Sequence, residues 1–66
     1  MLEIELVVTA DMVGVHTGPR WDSGVVETVH KGGCMLACDY MIVDDGIWYA
    51  LGRGAWVHSD FVEEDK

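Results

Sequence analysis

Basic residues are scarce in this 66-residue chain: four Lys and Arg side chains stand against twelve Asp and Glu, for a net charge of −8. A field of that sign repels phosphate backbones, which excludes direct nucleic-acid binding. It favours solubility and basic partners. Long apolar runs are missing too. None approaches the roughly 20 residues needed to cross a bilayer, so no membrane partner is expected. Helical periodicity is absent, since no segment has apolar residues at 3.6-residue spacing over a helix-length window. There is one proline and there are two cysteines. Cys34 and Cys38 are four residues apart. Along one strand that is about 13 Å, too far for a disulfide or a shared metal. No Cys-x-x-Cys or His-x-x-x-His pair accompanies His16, His30 and His58, so neither a metal nor a cofactor is expected. The two thiols read instead as small buried side chains in a reducing compartment.

Catalytic signatures are also lacking. There is no nucleophile motif and no phosphate-cradling glycine loop. A chain of this size leaves little room for a nucleophile, a base and an oxyanion hole in one pocket. Asp44-Asp45 reads as a turn and Glu63-Glu64-Asp65 as a frayed end, not as carboxylates opposed across a cleft. The expectation is a protein that binds and is not an enzyme. The start, Met1-Leu2-Glu3-Ile4-Glu5, has neither the basic opening nor the apolar stretch of a secretory signal. A cytoplasmic location is therefore expected, with release by lysis as an alternative route.

What is present is a folded all-β chain. Half of the residues are hydrophobic, enough to oppose disorder. A domain this small buries only about 60% of its unfolded surface, so its core is marginal. Turn-forming residues recur at Gly14, Gly18-Pro19, Ser23-Gly24, Gly32-Gly33, Asp44-Asp45-Gly46 and Gly52-Arg53-Gly54. Short runs rich in β-branched and aromatic residues lie between them, the spacing of a small all-β domain. Leu2, Ile4, Leu6 and Val8 alternate along a first strand with one face to the core. Val25 to His30 reads as a second strand. Cys34 to Val43, apolar on both sides, reads as a third and central one. Ile47–Leu51 and Ala55–His58 form a hairpin turned by Gly52 and Gly54. Ser59-Asp60-Phe61 makes a short turn before a last strand at Val62. Five to six short antiparallel strands in this order suit a small barrel, in one domain covering residues 1–66.

Four motifs then occur in a telling order: Gly14-Val15-His16-Thr17-Gly18-Pro19, Glu27-Thr28-Val29-His30-Lys31-Gly32, Trp48-Tyr49, and Trp56-Val57-His58-Ser59. Over residues 8–62, followed by an acidic tail at 63–66, the chain resembles the bacterial Src-homology-3-like (SH3-like) domain family. The resemblance implies a five- to six-stranded SH3-like barrel with Val15 in its core. It also implies a binding module, since many relatives recognise peptidoglycan or its peptide cross-bridge. The chain departs from the family pattern at Gly14, at His16, at the additional Ile47, and at Trp21 in a loop where the family is polar.

Trp21 is the first candidate for a ligand site. An indole supplies a large flat contact and one N–H donor. Two readings stay open, a contact residue or a lid folded back over the barrel end. Trp48 and Tyr49 point to opposite faces, and with Leu51 on the Tyr49 side, Trp48 is expected outward. Trp56 and His58 share the face opposite Val57. Trp48, Trp56, Phe61 and Tyr40 then make an aromatic strip along a shallow groove, unless Trp56 and Phe61 merely close the barrel. Asp22, Asp44 and Asp45 on adjoining loops would attract a basic side chain or free amine. The partner expected is a protein, peptide or cell-wall peptide bound through Trp21, Trp48, Trp56, Asp22, Asp44 and Asp45. An acidic intracellular inhibitor or adaptor, docking on a basic protein surface and phage-encoded in one version, is the alternative. Edge strands in so small a domain also invite homo-oligomers.

Overall fold

A computed structural model describes residues 2–65. These residues are all-β, with eight strands: β1 (Ile4–Val8), β2 (Met12–His16), β3 (Val25–His30), β4 (Cys34–Ala37), β5 (Asp39–Val43), β6 (Gly46–Ala50), β7 (Trp56–His58) and β8 (Val62–Glu64). A single 3₁₀ turn, Ser59–Phe61, joins β7 to β8. The strands form two antiparallel sheets, ordered β4-β1-β8 and β3-β2-β7-β6-β5. No helix among the described residues is long and apolar enough to cross a membrane.

The core sits between the sheets. Leu6, Val8, Val13, Ala37, Tyr49, Val57 and Val62 form its buried cluster. The alternation read along the first strand holds for Leu6 and Val8, which are buried while Glu5 is exposed, but Leu2, expected on the same core face, lies before β1 and is exposed. Val15 and Val57 are fully buried, as their motifs imply. Each such side chain contributes roughly 1.5–3 kcal/mol on burial. The hairpin turn also holds, with Gly52, Arg53 and Gly54 all at positive φ (79°, 47° and 70°).

Five readings are corrected. The strands number eight, not five to six, because Met12–His16 is a strand and the 34–43 segment divides into two. Met12–His16 is a strand in its own right, so the motif at residues 14–19 is half strand and only half turn. The segment 34–43 is not one central strand. It bends at Cys38, whose N–H bonds to the Ala50 carbonyl, and places β4 in one sheet and β5 in the other. Both halves lie at sheet edges, which is why residues apolar on both faces remain largely exposed. Cys34 and Cys38 are accordingly exposed, not buried. Finally, residues 63–65 are not frayed: Glu63 and Glu64 lie in β8 opposite Val7 and Leu6, and the Asp65 N–H bonds to the Glu5 carbonyl. Residue 66 of the expected acidic tail lies outside the described residues.

Candidate functional site

The outer face of the five-stranded sheet carries a second buried layer, and the candidate site is built on it. Hairpin register sets Trp48 of β6 directly opposite His58 of β7. Both side chains point away from the main core, yet Trp48 is only 2% and His58 only 1% exposed. What covers them is the loop between β2 and β3. Its base is closed by the Thr17 N–H on the Gly24 carbonyl. Its interior is held by the Ser23 hydroxyl, 2.6 Å from the Arg20 carbonyl and 3.0 Å from that of Gly18. With the hydroxyl proton so engaged, His16 Nδ1 donates to the Ser23 carbonyl at 3.1 Å. A bulge between Val15 and His16 shifts the β2–β3 register at this point.

This folding lays Trp21 over the sheet. Its ring centroid lies 4.6 Å from that of His58, 4.8 Å from Trp48, 5.8 Å from Phe61 and 6.2 Å from His16. Trp21 is thus both a lid and a contact surface: it closes over Trp48 and His58 while staying 47% exposed itself. The lid lies on the sheet face. The outward exposure expected of Trp48 is corrected by the same observation, because the face was right but the loop covers it.

Asp45, in the two-residue turn between β5 and β6, fastens the lid. Its Oδ2 accepts the Trp21 indole N–H at 2.8 Å. Its Oδ1 lies 3.5 Å from His58 Nε2. His58 Nδ1 accepts the Asp60 backbone N–H at 3.0 Å, so in the neutral ring the proton sits on Nε2 and faces Asp45. Nε2 is buried and has no hydrogen-bond partner within normal reach. The Trp21 hydrogen bond, opposed by partial desolvation and helped by Asp45's own backbone and by His58, holds the Asp45 carboxyl below its ordinary 3.8.

Gly46 lets this arrangement close. Its φ is +140°, and a Cβ there would sit 2.7 Å from Ser59 Oγ and 2.8 Å from His58 Cε1. The adjacent Ile47 N–H donates to Ser59 Oγ at 3.0 Å.

Beside the lid lies an open pocket of about 440 Å³, lined by Pro19, Arg20, Trp21, Asp22, Val43, Asp44, Asp45 and Trp48. It brings together five of the six residues expected at a site: Trp21, Trp48, Asp22, Asp44 and Asp45. Trp56 does not line it, although it shares the outer face and is half-buried. The expected aromatic strip is not continuous either. Phe61 reaches Trp48 through Trp21 and through His58, and Tyr40 lines a different groove with Leu2 and Ile4. Asp22 is weakly engaged, 3.7 Å from Arg20, with both side chains largely exposed. The residues missing from the sequence reading are His16 and His58. The turn at 52–54 was enough to place His58 opposite Trp48, but not to show that Trp21 would cover the pair. Among the described residues no three His, Cys, Asp or Glu side chains converge as a metal site.

Comparison of the chain with protein-family models, with curated proteins and with solved structures found no match.

Proposed function

We propose that this protein is a non-enzymatic SH3-like binding module of bacterial or phage type, which takes a peptide or peptidoglycan fragment in the pocket beside Trp21. The observation that carries this reading is the convergence of an exposed indole with the carboxylates of Asp22, Asp44 and Asp45 around one open pocket. A free amine or basic side chain entering it meets negative charge from two loops. The Trp21 face adds a cation–π contact of about 0.5–1 kcal/mol at such an exposed position. Arg20, paired with Asp22, is the only base on the rim among the described residues and is displaced or shared on binding. The test is retention on purified bacterial cell walls, and titration with a stem peptide carrying a free amine. Trp21→Ala and Asp44→Asn are the informative variants, because Trp48→Ala would remove a buried ring. No retention of the parent protein and no response to the peptide would sink this reading.

The net charge of −8 supports a second reading, an acidic inhibitor or adaptor that presents this same rim to a basic protein surface. Its complex would weaken as salt rises, because exposed charges are screened beyond about 8–10 Å at ordinary ionic strength. Salt-insensitive binding would count against it.

A further inference from the structure

We infer that the free edge of β5 is a second interaction surface, which accepts an extended, apolar and basic segment of a partner protein as an added strand. Its groove shares no lining residue with the Trp21 pocket, although Val43 and Asp44 at the end of the strand border that pocket.

The argument starts from the backbone. β5 is the terminal strand of the five-stranded sheet, and its pairing with β6 runs without a register shift from Asp39 to Val43. Antiparallel residues alternate between pairs that exchange both hydrogen bonds and pairs whose N–H and C=O point outward. The Tyr40 N–H bonds to the Asp39 carboxylate at 2.8 Å, not to β6. Tyr40 therefore faces the open edge, and so does Ile42 two residues on. Protein edges are normally blunted by lysine, proline or a bulge. β5 has none of these. At the opposite edge of the sheet, β3 has a bulge in its pairing with β2 and an ion pair from Glu27 to Arg53 at 3.0 Å.

The side chains agree with the backbone. Ile42 is 73% exposed, the most exposed of the large hydrophobic residues described. Ile42 and Tyr40 share one face and line an apolar groove of about 390 Å³ with Leu2, Ile4 and their cross-strand neighbours Ile47 and Tyr49. Added strands gain affinity from main-chain hydrogen bonds and specificity from alternate side chains seated in such pockets.

Charge selects the occupant. Among the described residues Glu64 is the one charged residue lining the groove, and Asp39 and Asp44 bracket the strand. A second copy of this chain would bring the same acids against them with a net charge of −8 on each side. A segment alternating apolar and basic residues satisfies both features. A lysine would draw the Asp39 carboxylate away from the Tyr40 N–H and free that donor for the ladder.

The test uses the full chain, ¹⁵N-labelled, titrated with the peptide acetyl-Lys-Val-Lys-Ile-Lys-Val-amide and with a counterpart carrying Glu for each Lys. The basic peptide should shift the amides of residues 39–43 together with those of Leu2, Ile4 and Glu64. It should also slow hydrogen exchange at Tyr40 and Ile42. Ile42→Lys, at an exposed position that the fold tolerates, should leave the rest of the spectrum unchanged and weaken binding at least tenfold. The idea is overturned if residues 39–43 do not respond, if the acidic peptide binds equally well, or if only Trp21 and Asp45 respond. It is equally overturned if sedimentation shows the chain pairing with itself through β5.

Discussion

Trp21 and Asp45 are 24 residues apart in sequence, and one hydrogen bond of 2.8 Å between them holds the β2–β3 loop against the β5–β6 turn. Asp45 is ionised when it does this, and its carboxyl is held below 3.8 chiefly by that bond. A group with a depressed folded-state pKa stabilises the fold above its unfolded value. That contribution is lost as pH falls through the lowered folded value. The loop should therefore stay closed at neutral pH and loosen only in acid, below about 3.8. Trp21→Phe, which keeps the ring packing and deletes the N–H, should move the Asp45 titration upward toward 3.8 in a carboxyl NMR experiment. An unmoved Asp45 would show that the bond is not formed in solution.

The two tryptophans of the site should behave oppositely on truncation. Trp48 is 2% exposed, and Phe or Trp to Ala in a core costs about 3–5 kcal/mol. That approaches the whole stability of a small domain, so Trp48→Ala should be largely unfolded at room temperature by circular dichroism. Trp21→Ala removes a ring that is 47% exposed and should stay folded with a modestly lowered melting point. Retained folding in Trp48→Ala would mean that the second aromatic layer carries little of the fold.

How much of this was legible follows from where the information lies. Alternation located β1 and Val57, and the glycines located the turn at 52–54, because each is encoded within a few adjacent residues. The bend at Cys38 was not legible. Residues 34–43 are apolar on both sides, and periodicity alone cannot separate a doubly buried strand from an exposed one that changes sheets. The same ambiguity inverted the reading of Cys34 and Cys38. The site was half legible: residue type picked out Trp21 and the aspartates, whereas their convergence depends on a contact spanning 24 residues that no local pattern carries.

Cysteine reactivity distinguishes the two pictures directly. Both thiols are exposed in the folded chain, Cys34 in β4 and Cys38 at the bend. Both should react with a thiol reagent such as Ellman's at native conditions, giving two equivalents without denaturant. Labelling that requires urea would restore the buried, central strand.

Gly46 should be the least replaceable glycine near the site. A Cβ there meets Ser59 Oγ at 2.7 Å and His58 Cε1 at 2.8 Å, and the φ of +140° is itself unfavourable for an L side chain. Overpacking of this kind costs about 1–3 kcal/mol. Gly46→Ala should lower stability in urea denaturation by that amount and shift the His58 ring resonances. Gly54→Ala, with positive φ but no atom within 4 Å of its Cβ, should cost less. Equal losses at the two positions would place the whole effect in φ and none in the packing of His58.

The alkaline limit of stability should be set in part by Tyr49. Its hydroxyl is pushed above the ordinary 10.0 first by burial in the core and then by the nearby Glu64 carboxylate. The neutral form is therefore favoured in the folded chain, while the unfolded chain ionises near 10. The contribution is fully present below the unfolded value and is lost as pH rises through the raised folded one. Stability measured by urea titration should fall from about pH 10 upward. Tyr49→Phe keeps the ring in the core and removes the ionisation, so its alkaline limb should be flatter than that of the parent. Glu64→Gln should also flatten it, but less, because burial is the larger of the two causes. A parent and Tyr49→Phe pair with superimposable alkaline limbs would assign the loss to other groups.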